Sequence, residues 1–82
     1  MLTEGLKAKI RAAWGPGEER NVFRLVADAA WDLEVHGQDH DDQVDTTMEL
    51  GILVGKSWEA GPDALIESFE KWVRSKKDDR ES

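Results

Sequence analysis

The chain has 82 residues, no cysteine, and 18 acidic against 11 basic residues, for a formal net charge of −7 at pH 7. That length makes one domain with a modest core, and the missing cysteines exclude disulfides, a thiolate nucleophile and cysteine-held zinc or iron–sulfur centres. The acid excess argues against direct contact with nucleic acid, and no purely aliphatic run outlasts Ile52-Leu53-Val54, far too short for a membrane span.

Hydrophobic spacing predicts four helices. The first covers Thr3 to Trp14, with Leu2, Leu6, Ile10 and Ala13 on one face and Thr3 placed to cap it. Gly15-Pro16-Gly17 then breaks the chain. The second helix starts near Glu18, where Glu18 and Glu19 suit the positive end of a helix dipole. Its stripe is Val22, Val26, Ala29 and Leu33, widened by Phe23, Leu25 and Ala30. Gly37 and the acids after it make the next break.

The third helix, Asp42 to Ala60, is the most apolar. Val44, Met48, Gly51, Gly55 and Trp58 share one side, Leu50, Leu53 and Val54 extend it, and Asp45, Glu49 and Lys56 form a narrow polar strip. A helix this apolar is expected to be the central, most buried one. Gly61-Pro62-Asp63 opens the fourth, Pro62 to Arg74, with Leu65, Phe69 and Trp72 in line and Ile66 and Val73 beside them. Pro62 suits the first helical turn, where an N–H is not needed. Residues 75–82 hold no apolar side chain, so a flexible, disordered charged tail is expected there.

No segment alternates with a strand period, and tyrosine is absent. The fold class is therefore all-α: one domain, residues 1–74, in a small four-helix arrangement built from two helical hairpins. An internal echo supports the hairpins: Trp14-Gly15-Pro16-Gly17 leads to Phe23 much as Trp58-Glu59-Ala60-Gly61-Pro62 leads to Phe69. The start of the chain lacks the basic and apolar regions of a signal peptide, so a cytoplasmic location is the expectation.

Charge is unevenly spread. Between Arg24 and Lys56 lie eight acids, Asp28, Asp32, Glu34, Asp39, Asp41, Asp42, Asp45 and Glu49, with no lysine or arginine. The rest of the chain carries ten acids against eleven bases, so the net charge belongs to the middle. A localised anionic surface attracts cations or basic partners. The expected function is a protein–protein interaction module, an adaptor or inhibitor, that docks a basic protein surface. A stricter version has the acids imitate a phosphate backbone and block a DNA- or RNA-binding protein. Trp31 and Val35 fall opposite the second helix's core stripe and would supply an apolar anchor ringed by charge.

The main alternative is a divalent-metal site at the turn from His36 to Asp42, with His36, Asp39 and His40 as ligands. A calcium loop starting at Asp39 fails, because the glycine it needs at position six is Val44 and the glutamate at position twelve is Leu50. Solvated capping of the third helix explains the same acids without a metal. Asp28/Asp32 and Asp45/Glu49 are pairs four residues apart, but their stretch holds no base to bind phosphates, so neither enzyme activity nor a cofactor is expected. Gly51 and Gly55, one turn apart, each cost about 1 kcal/mol relative to alanine in a helix interior. Close packing against a ring such as Trp14 or Trp72 would compensate, and a homodimer seam is the other reading.

Overall fold

The computed structural model describes the backbone of residues 2–81 and the side chains of residues 2–78. Four helices follow one another: α1 (Glu4–Ala13), α2 (Glu19–Asp32), α3 (His40–Ser57) and α4 (Pro62–Glu81). Among the described residues there is no strand, and no helix is long and apolar enough to cross a membrane.

Local chemistry sets the boundaries. Thr3 is extended and its Oγ1 accepts the Leu6 N–H at 3.1 Å, capping α1. Asp39 does the same for α3, accepting the Asp42 N–H at 2.9 Å, so Asp41 and Asp42 fall in the first turn, where acids oppose the helix dipole favourably. The α3 helix therefore starts at His40, two residues earlier than the apolar periodicity alone implies. At its far end the N–H groups of Ala60 and Gly61 both reach the Ser57 carbonyl at 3.1 Å, turning the chain into α4.

The helices close a ring. Neighbours α1 and α2 pack together, as do α3 and α4, giving the two hairpins; α2 against α3 and α1 against α4 join them. Between them lie Ile10, Val22, Val26, Ala30, Leu50, Leu65, Phe69 and Val73, each fully buried. At about 25 cal/mol per Å² of apolar surface, these side chains are the main source of stability.

Two expectations about α3 fail. It is not the most buried helix: Leu50 and Val54 enter the core with Thr46 and Ser57, while Val44, Met48 and Ile52 are 44%, 61% and 55% exposed. An apolar composition on all sides does not choose which side meets a neighbour; α2 and α4 grip the Leu50–Val54 face, and among the described residues Val44, Met48 and Ile52 stay outside that contact. Nor does a tryptophan fill the glycine notch. Trp14 stacks on Trp58 with ring centroids 4.1 Å apart, and Trp72 lies 5.8 Å from Phe69. Gly51 and Gly55 are exposed, and a Cβ would meet Phe23 at 3.8 Å from the first and nothing within 4 Å from the second.

The fourth helix also runs past Arg74 into the segment expected to be a flexible tail. Lys76 explains the first of the extra turns. Its ammonium sits 3.0 Å from the Glu49 carboxylate and 5.7 Å from the Trp72 ring centroid, so a charged side chain ties this turn to α3. Ser82 lies outside the described residues.

Candidate functional site

The link between α2 and α3 organises the acidic region. The α2 helix ends in a Schellman arrangement: the Val35 N–H bonds the Ala30 carbonyl and the Glu34 N–H bonds the Trp31 carbonyl, both at 3.1 Å. Glu34 takes the left-handed position at φ 58°, where glycine is usual. The residue after that position folds back onto the helix, and Val35 is accordingly buried at 3% exposure. Val35 is thus a core residue, which removes it from the expected docking anchor. The helical wheel misplaced it because the helix had already ended.

Trp31, the other half of that expected anchor, does reach the surface. It is 38% exposed and its ring stacks on His36, centroids 4.8 Å apart and planes 18° from parallel. The turn beneath is pinned from α3, where Thr46 Oγ1 lies 2.8 Å from the Asp42 carbonyl and 3.1 Å from the His36 carbonyl, so its hydroxyl ties the turn to the helix. Gly37, at φ 82°, sits where a Cβ would come within 2.5 Å of the Asp42 side chain. Turn, stacked rings and helix start pack together as one corner.

All eight acids are exposed. Among the described residues only Glu49 has an ion-pair partner, Lys76, and it also accepts from the Trp72 indole N–H at 3.3 Å. The pattern differs on the α1 and α4 surface, where Glu4, Asp63, Glu67 and Glu70 each have a lysine or arginine within 3.5 Å. Asp28 and Asp32 line an open depression of about 310 Å³ with Lys9 and the side chains of Leu2, Leu6 and Leu25. Asp42, Asp45 and Glu49 line another with Lys76. Tertiary packing thus brings one lysine near each carboxylate pair, which the local sequence could not show.

The metal reading loses its geometry. Among the described residues no three of His, Asp and Glu converge as a ligand set. The His36 ring is engaged against Trp31, the Asp39 carboxylate caps α3, and His40 opens that helix as an exposed residue. The buried His36 Nδ1 has no hydrogen-bond partner among the described residues, and neither Asp39 nor His40 forms a ligand set with it.

The chain matches no family model, no curated protein and no solved structure. Thr46, Lys76 and the Trp31–His36 stack are the site features that sequence reasoning passed over. Thr46 had one legible signal, its four-residue spacing to Leu50 and Val54 on the buried face.

Proposed function

We propose that the protein is an interaction module, an adaptor or inhibitor, that docks a basic protein surface with the corner between α2 and α3. The observation that carries this reading is the division of ion pairs. Elsewhere on the described surface four of the eight acids, Glu4, Asp63, Glu67 and Glu70, are ion-paired within the fold, whereas of the eight central acids only Glu49 is; Asp28, Asp32, Glu34, Asp39, Asp41, Asp42 and Asp45 lack a basic partner within 4.0 Å among the described residues. Uncompensated charge on one corner costs the folded chain some self-repulsion and is useful when an incoming partner supplies the opposite sign. Trp31 supports the reading as an aromatic side chain held in a fixed orientation beside the acids, the kind of anchor that dominates binding energy at interfaces. A cytoplasmic setting fits it.

Such a surface mainly accelerates encounter, by about 10- to 1,000-fold at low salt. The test is capture of a partner on immobilised wild-type protein and on two variants. Asp39→Asn/Asp41→Asn/Asp42→Asn is expected to slow association about tenfold or more and to flatten its salt dependence. Trp31→Ala is expected to speed dissociation instead. A partner whose binding ignores both the triple substitution and the salt concentration would sink the electrostatic reading.

A further inference from the structure

The apolar stripe on α3 is not part of the acidic corner and is left exposed among the described residues. Val44, Met48 and Ile52 recur every fourth residue and stand 44%, 61% and 55% exposed. Beside them Gly51 and Gly55 present bare backbone, with Phe23 of α2 half-buried at the edge. Apolar side chains in a row with low backbone beside them form a surface suited to another helix.

The charges along this helix say which one. Asp45 and Lys56 are both exposed, and eleven residues at 100° each bring them within about 20° of one another around the helix and about 17 Å apart along it. One edge of the stripe is therefore negative at its start and positive at its end. A second copy laid antiparallel across it, related by a two-fold axis beside Gly51, sets Asp45 of each copy against Lys56 of the other. The same operation puts Met48 of one copy beside Ile52 of the other at the centre of the contact, and lays each Val44 end over a Gly55 end. Opposed helix dipoles favour the same orientation.

We propose that this face of α3 is a homodimer interface with antiparallel two-fold geometry. The contact is one helix wide, so the dimer is reversible instead of obligate. Asp41 and Glu59 meet at the rims with like charge, which limits affinity and gives a second handle on the register. This surface shares Asp41 and Asp45 with the proposed docking corner but not Trp31, Asp39 or Asp42, and the variants below leave Asp39, Asp41 and Asp42 intact.

The experiment is sedimentation equilibrium of the full chain over a concentration series. The mass is expected to rise from 9.3 kDa toward twice that value. Met48→Glu is expected to stay monomeric throughout while keeping its helical circular dichroism. Lys56→Glu, which creates two repulsive contacts by symmetry, weakens association by about tenfold. Adding Asp45→Lys to that variant restores it, and Glu59→Lys tightens the dimer. A wild-type chain that is monomeric at every concentration overturns the proposal and leaves the stripe to a foreign helix. Dimers that survive Met48→Glu, or a double swap that fails to restore association, overturn it as well.

Discussion

The α1/α4 side of this molecule and its α2/α3 side are built to different ends. Across the first, Lys7 reaches Glu70 and Arg11 reaches Asp63, so charges on one helix answer charges on the other. Across the second no ion pair joins the two helices among the described residues; they hold their contact through Val22, Val26, Leu50 and Val54 and leave acids, an indole and an apolar stripe facing outward. In a domain this small the difference separates a side whose helices are tied by charge from a side that leaves acids and apolar side chains exposed.

The most direct way to break that contrast is to delete the same atoms on each side. Ile10 is fully buried and Ile52 is 55% exposed. Ile10→Ala should cost about 2–5 kcal/mol, a large part of what a small domain has. Ile52→Ala should fall within about 0.5 kcal/mol of wild type when measured by urea denaturation at a protein concentration too low for self-association. A large loss at position 52 under those conditions would mean that the stripe is covered within the single chain.

The corner between α2 and α3 contains two left-handed residues whose substitution should act in opposite directions. Gly37→Ala imposes a side chain at φ 82° and within 2.5 Å of Asp42. The conformational term alone is about 1–2 kcal/mol, and the clash adds to it. Glu34→Gly relieves a non-glycine residue at φ 58° and should stabilise by up to about 1 kcal/mol, less what glycine adds to the freedom of the unfolded chain. Denaturation midpoints that move the same way for both would show that the Schellman turn does not carry the corner.

These same positions mark how far the sequence could be read. Four helices, their order and most of the core were visible in the spacing of Ile10, Val22, Val26, Leu65 and Phe69, because amphipathic periodicity records burial directly. The third helix was the weak point, since a helix apolar on most sides carries no record of which side is covered. Val35 was misread for a different reason: a glutamate fills the position where glycine would have announced the end of α2. Clustering of the acids was legible, but their lack of partners was not. Lys76 comes from 27 residues beyond Glu49 to pair with it, and only the fold reveals that the other seven receive no such visit among the described residues.

The smallest expected effect sharpens the comparison from the closed side. Lys7 donates to Glu70 from across the α1–α4 contact and also faces Glu4. The hydrogen bond to Glu70, then the charges of Glu4 and Glu70, raise the lysine's pKa above its ordinary 10.5, against a weaker opposing effect of burial. A base whose pKa is raised by folding contributes stability that is fully present below the unfolded value and is lost as pH rises through the folded one. Wild type should therefore melt slightly above Lys7→Met at neutral pH, and the two curves should converge only once the pH has climbed beyond 10.5. Thermal melts of both proteins from neutral into alkaline buffer make the test. An advantage that vanishes well below the lysine range, or that persists unchanged above it, would show that Lys7 helps through its aliphatic stem and not through the charge that separates this side of the molecule from the other.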